Sequence, residues 1–115
     1  MNRTEGKTVK RLGMVIGIKP DQIEEYKRLH AGPGVRDLLR AANIRNFSIY
    51  LKQFDDGRWY EFGYYEYVGD DYEADMAKLA AQPRNKAWLS VCDAMQIPLV
   101  GHTSWAVMEE VYHED

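Results

Sequence analysis

Residues 10–18 (KRLGMVIGI) form an apolar, β-branched run that stops at Lys19-Pro20, the pattern of a first strand. Pro20-Asp21 then opens a helix, since proline suits a first turn and an acidic side chain complements the N-terminal end of the helix dipole. Ile23, Tyr26, Leu29 and His30 recur at helical spacing. Gly32-Pro33-Gly34 breaks this helix, and a second stretch from Val35 to Ala42 puts Val35, Leu38, Leu39 and Ala42 on one face. Residues 45–53 alternate, with Phe47, Ile49 and Leu51 on one side and Asn46, Ser48 and Tyr50 on the other, which is the period of a strand. Asp55-Asp56-Gly57 signals a hairpin turn, and the aromatic residues 58–68 form its second arm. A helix from Asp70 to Ala81, begun by Asp70 or Asp71, carries Tyr72, Met76, Leu79 and Ala80 as its apolar side. Pro83 interrupts it, Asn85 to Met95 form a further helix, Ile97-Pro98-Leu99 with Gly101 read as a loop, and residues 104–112 as a fourth strand.

The order β-α-β-β-α-β, with each helical region broken once, predicts a ferredoxin-like α+β fold with a four-stranded antiparallel sheet and helices on one face. The opposite face has to be solvated, covered or used. Aromatic residues occupy both sides of the strands (Tyr50, Trp59, Tyr60, Phe62, Tyr64 and Tyr65 among them), so the uncovered face is too apolar to stay bare. A homodimer, or a deep pocket on that face, is expected. Residues 1–9 read as a flexible lead and 10–115 as a single domain.

Composition narrows the classes. At 115 residues the chain makes one domain, and 18 acidic against 15 basic residues leave a net charge of -3. That balance argues against nucleic acid or an anionic membrane as partner, because phosphate binding needs a basic face. No run of 18 apolar residues suggests a membrane span, and Met1 to Lys7 lack the apolar core of a signal peptide. Cys92 is the single cysteine, so no intrachain disulfide forms. It sits in an apolar run as a buried thiol, and a reducing cytoplasmic setting fits.

Candidate chemistry is sparse. Tyr26 and His30 stand one turn apart on one helix face. His30 can exchange a proton near neutral pH, or can simply be a half-exposed residue at a helix end. Tyr50 is either a sheet aromatic in a dimer interface or a ligand contact. Trp88 is either core filler or a flat platform for a sugar's C–H face. Asp55 and Asp56 belong to a turn, Glu24, Glu25 and Asp37 to solvated helix faces, and no carboxylate pair shows acid/base spacing. His102 and His113 are scattered and build no metal site, and Gly-rich phosphate loops, Cys/His clusters and nucleophile elbows are missing. The residues alone therefore point to an α+β dimer with an aromatic, histidine-bearing pocket and no sign of a cofactor.

Four stretches between Lys10 and Tyr112 resemble the L-rhamnose mutarotase family. They are Glu24-Glu25-Tyr26-Lys-Arg-Leu-His30, similar to its E-E-Y-x-x-x-H; Asn46-Phe-Ser-Ile-Tyr50-Leu51, similar to N-Y-x-I-Y-L; Trp88 to Met95, similar to W-W-x-x-M-x-D-x-M; and Met108 to Tyr112, similar to L-x-E-V-F/Y. The resemblance implies a dimer with a barrel-like association of α/β subunits that interconverts sugar anomers without metal or cofactor. It implies that His30 is the proton donor and that Tyr26, Phe47, Tyr50, Ala87 and Trp88 stand at substrate-binding positions. Phe47 replaces a family tyrosine and Ala87 the first tryptophan of a pair. Ala31-Gly-Pro-Gly-Val35-Arg-Asp-Leu replaces N-P-x-W-P-E-L, losing another tryptophan. These changes keep the histidine and rebuild the pocket, so the expected substrate is a 6-deoxy sugar, L-rhamnose or L-fucose, opened by acid/base catalysis. Two other classes share the outline, a dimeric ferredoxin-like monooxygenase and a non-enzymatic sugar-binding domain.

Overall fold

The computed structural model describes residues 9–115, so apart from Val9 the expected N-terminal lead lies outside the described residues. β1 (Lys10–Ile18) runs into a 3-10 turn at Pro20–Gln22 and then α1 (Ile23–Ala31). α2 (Arg36–Ala41), β2 (Ile44–Gln53), β3 (Trp59–Tyr67), α3 (Tyr72–Ala81) and α4 (Pro83–Asp93) follow. β4 (Gln96–Ile97) and β5 (Ala106–Met108) complete the chain's secondary structure. The sheet is antiparallel in the order β2-β3-β1, with β4 and β5 both pairing to the free side of β1. This is the four-position ferredoxin-like sheet expected.

The fourth strand differs from expectation. Ile97, read as loop, pairs with Gly17, and after an excursion over residues 98–105 the chain returns to pair Ala106 with Val15. Residues 109–112 join no ladder, although Glu110 takes two hydrogen bonds from the Arg11 guanidinium at 3.0 and 3.1 Å. Pro98 lacks the N–H that a ladder needs, which accounts for the interruption. Pro83 also acts differently from expectation: it starts α4 in its first turn, a position where its missing N–H costs nothing.

Local chemistry sets the other boundaries. Phe54 N–H donates to the Arg58 carbonyl and Gly57 N–H to that of Phe54, and Gly57 takes φ +88°, closing the β2–β3 hairpin. Asp71 caps α3 by accepting from Ala74 N–H at 3.1 Å. A bulge at Asn46, φ +55°, lets Ile44 face the same side as Phe47, Ile49 and Leu51 although it is three residues from Phe47. Direct cross-strand partners share a face, so Ile16, Ile18, Leu51, Glu61 and Tyr65 all point toward the helices. Ile18, Ile23, Tyr26, Cys92 and Met95 form one core cluster, and Met14, Ile44 and Tyr65 with Met76 and Leu79 form a second.

Asp75 on α3 ties the second cluster to the sheet, accepting hydrogen bonds from the Tyr67 hydroxyl at 2.5 Å and the Asn43 amide at 3.0 Å. Asp75→Ala is expected to lower the midpoint of chemical denaturation, because the Tyr67 hydroxyl and the Asn43 amide each lose an acceptor. Tyr67→Phe should then cost less in the Asp75→Ala background than in the wild type; equal costs in both backgrounds would show that the contact is energetically idle.

Candidate active site

α1 and α4 bring Tyr26, His30 and Trp88 together above the sheet. The Tyr26 and His30 rings stack, with centroids 4.0 Å apart and 23° between their planes. Trp88 meets His30 edge-on at 5.0 Å. The 32–34 loop closes over the indole only because of Gly34: its φ is +52°, and a Cβ there would stand 3.2 Å from the Trp88 ring. Arg36 donates to the carbonyls of His30, at 2.8 Å, and of Gly32. Arg84 on α4 pairs with Asp37 at 2.5 Å. Exposed ion pairs of this kind are individually weak, but here they join the loop to both helices.

Beneath this roof lies a cavity of about 500 Å³, within the size range of small-molecule sites. Its floor is the helix-covered face of the sheet, contributed by Ile18, Phe47, Ile49, Leu51 and Glu61. Tyr26, His30, Trp88 and Cys92 form the roof, with Gln96 and Trp105 at the sides. The deep pocket is therefore on the opposite face of the sheet from the one expected. The inward side chains of α1 and α4 leave a gap over the floor, whereas the outward aromatic face has no helices with which to enclose a cavity.

Glu61 is the unexpected member. Only 2% of it is exposed, and its cross-strand neighbours are Ile16 and Leu51. Gln96 Nε2 donates to Glu61 Oε1 at 2.9 Å and to the Tyr26 hydroxyl at 3.3 Å. Burial pushes the Glu61 carboxyl up to about 7, against the opposing pull of hydrogen bonds from Gln96 and Tyr26. Burial and the nearby Glu61 hold the Tyr26 phenol well above its ordinary range. Burial likewise pushes the Cys92 thiol up to about 11, consistent with an inert buried thiol.

His30 is half-buried, and burial lowers its pKa, offset in part by its bond to the Tyr26 backbone and reinforced by Arg36. Its Nδ1 lies 2.8 Å from the Tyr26 carbonyl oxygen. A carbonyl only accepts, so Nδ1 carries the proton. The neutral ring then keeps a free lone pair on Nε2, which can accept a proton.

Of the residues expected from sequence, Tyr26, His30, Phe47 and Trp88 meet at the cavity. The Phe47 ring stacks on Tyr65 at 5.3 Å. Tyr50 does not join them: it is 68% exposed on the outer face of the sheet. Ala87 is exposed on α4 and lines no part of the cavity. Sequence reasoning missed Glu61 and Gln96. A signal for Glu61 existed, since the hairpin turn pairs Gln53 with Trp59 and so aligns Glu61 with inward-facing Leu51. Gln96 carried no such signal. Among the described residues no three His, Cys, Asp or Glu side chains are placed to hold a metal ion, and no helix is long and apolar enough to cross a membrane.

Comparison with known proteins agrees with this geometry. A family model described as L-rhamnose mutarotase matches residues 11–114. No curated protein sequence matches the chain. The fold is similar to the crystal structure of an L-rhamnose mutarotase from Formosa agariphila, with TM-score 0.66 and 20% identity over 92% of this chain and 99% of that one. It is also similar to an antibiotic biosynthesis monooxygenase, with TM-score 0.53 and 17% identity over 91% of this chain and 100% of that one. At these identities the two structural likenesses speak to the fold.

The Glu61 environment sets a pH dependence of stability. The carboxyl ionises near 4.5 when unfolded and near 7 when folded. Between those values the unfolded chain has lost a proton that the folded chain keeps, so Glu61 makes stability fall as pH rises through this window and level off above about 7. Glu61→Gln removes the ionisation while keeping the shape. It is expected to melt at a higher temperature than wild type at pH 8 and at a similar temperature at pH 4.5; parallel melting curves at both pH values would contradict the assignment.

Proposed function

The chain belongs to the L-rhamnose mutarotase family, and from that premise we propose that it is an isomerase interconverting the α and β anomers of a 6-deoxy sugar, L-rhamnose or L-fucose, in the cavity between α1, α4 and the sheet. The observation that carries this reading is the stacked Tyr26–His30 pair, edge-on to Trp88, on the wall of a cavity of about 500 Å³. Mutarotation needs one proton taken from the anomeric hydroxyl and one delivered to the ring oxygen, after which the open aldehyde turns and closes on its other face. A positioned acid/base group contributes about 10²–10⁴-fold to such a step.

His30 is the first of these groups. Its neutral ring, with Nδ1–H held by the Tyr26 carbonyl, accepts a proton at Nε2 on opening and returns it on closing. That order differs from the expectation that His30 donates first, because burial keeps the ring uncharged. Phe47, Ile49, Leu51 and Trp88 offer an apolar wall for the C6 methyl group, and Lys27, Asp93 and Ser104 at the cavity offer hydroxyl partners. Phe47, in place of a tyrosine, supplies no hydroxyl of its own, which favours testing L-fucose beside L-rhamnose. No step in this chemistry calls for a metal or cofactor.

The working form is a homodimer. Phe54 packs on Tyr60 and Phe62 on the outer sheet face, at 4.9 and 6.2 Å between centroids, and Tyr50 and Met108 extend this exposed apolar patch. Val111 and Tyr112, 86% and 78% exposed beyond the last ladder, continue past the sheet edge toward a second copy. Tyr50 acts in that interface. The buried, unpaired Cys92 supports a reducing, cytoplasmic setting.

Exchange between the α and β anomeric protons of equilibrated L-rhamnose and L-fucose, followed by NMR, tests the activity. Wild type is expected to accelerate exchange of at least one sugar, and His30→Ala to lose about 10²–10⁴-fold while keeping its circular dichroism. No acceleration of either sugar by wild type, or an unchanged rate in His30→Ala, would contradict the reading. Sedimentation velocity is expected to give twice the chain mass, and Tyr50→Arg with Phe62→Arg to give the single-chain mass; a wild-type monomer would refute the dimer.

A further inference from the structure

We propose that Glu61 is the second proton-transfer group of this site, the acid that protonates the ring oxygen while His30 deprotonates the anomeric hydroxyl, and that Gln96 positions it. The inference rests on the mutarotase reading of the cavity and names the partner that reading needs. A sheet face under helices is built from apolar side chains, and burying a carboxyl there, 2% exposed, costs stability that its hydrogen bonds only partly offset. Glu61 nevertheless occupies the middle of the cavity floor, between Ile16 and Leu51.

The surroundings of Glu61 supply what a reversible acid requires. Tyr26 and Cys92 face it from the helices, Gln96 faces it from β4, and Ile16, Ile18 and Leu51 flank it on the sheet. Among the described residues no cation pairs with it. The other charged groups of the cavity wall are Lys27, Arg36 and Asp93. Burial without a cation keeps the proton on the carboxyl near neutrality. The Gln96 amide already donates to Glu61 Oε1, and the Tyr26 hydroxyl hydrogen-bonds the same carboxyl, so both favour the negative charge that develops when the proton leaves.

The geometry with His30 fits the two atoms involved. Tyr26 lies between the groups: its ring stacks on His30 and its hydroxyl meets the Gln96–Glu61 pair. The ring oxygen and the anomeric hydroxyl share one carbon, and Tyr26, in contact with both groups, ties them to the one cavity that all three line. On opening, His30 Nε2 takes the hydroxyl proton, the C1–O1 bond becomes a carbonyl, the bond from C1 to the ring oxygen breaks, and that oxygen takes the Glu61 proton. The neutral pair has become imidazolium and carboxylate. On closing, the hydroxyl formed from the ring oxygen attacks the rotated aldehyde and gives its proton back to Glu61, while imidazolium returns the other to O1. The net reaction consumes nothing.

This arrangement predicts a bell-shaped pH profile for enzyme-catalysed exchange, after the buffer rate is subtracted. The rate falls on the acid side as His30 becomes charged and on the alkaline side, near 7, as Glu61 ionises. The test is that profile, measured by anomeric exchange NMR for wild type, Glu61→Gln and Gln96→Met, with sugar binding read in parallel by saturation transfer. Glu61→Gln is expected to bind the sugar, to exchange it about 10²–10⁴-fold more slowly, and to lose the alkaline limb. Gln96→Met removes a bond that favours the carboxylate, so its alkaline limb should move to higher pH, a change that a purely structural role would not produce. This second variant decides the matter if Glu61→Gln does not fold. An active wild type whose alkaline limb is unmoved in both variants overturns the role of Glu61 and leaves the mutarotase reading standing. A wild type that accelerates neither sugar overturns both.

Discussion

A carboxyl at the centre of a helix-covered sheet face keeps that face from closing as a dry core. Glu61 sits among the apolar Ile16, Ile18 and Leu51, with hydrogen bonds from Gln96 and Tyr26. α1 and α4 place Tyr26 and Cys92 over it, and the space left between these helices and the sheet is the cavity. Tyr26 and Gln96 enclose this one polar group, and Trp88 stands in the roof of the same cavity.

The two faces of the sheet then take different tasks. The inner face carries a polar group inside an apolar bowl, roofed by the Tyr26–His30–Trp88 stack. The outer face carries aromatic side chains with nothing over them in one chain. Alternation along a single strand separates the two faces: Glu61 is buried on the cavity side, and the next residue, Phe62, lies on the outer side.

Most of the architecture was legible in the sequence, because the signals were local. The period-2 alternation of residues 45–53, the Asp-Asp-Gly turn and the Tyr26–His30 spacing each depend on near neighbours, and each appears as read. Two kinds of information were not local. β3 is aromatic on both faces, so its own pattern could not say that Glu61 points inward; only its register with β2 does so. The interrupted edge strand depends on β1 drawing Ile97 and Ala106 to one side across an eight-residue excursion, 98–105, which no periodicity announces. Tyr50 illustrates the converse. Its motif is similar to that of a sugar-binding family, but alternation had already placed it opposite Leu51, and in the fold it lies away from the cavity.

The central claim is that sugar binds on the helix-covered face, between His30 and Glu61. A crystal structure of the protein with L-rhamnose or L-fucose tests it most directly. A sugar ring is expected in the cavity against Trp88, with its anomeric hydroxyl at His30 Nε2 and its ring oxygen toward the Glu61 carboxyl. A sugar bound on the outer aromatic face, or seated in the cavity with C1 turned away from both groups, would contradict it.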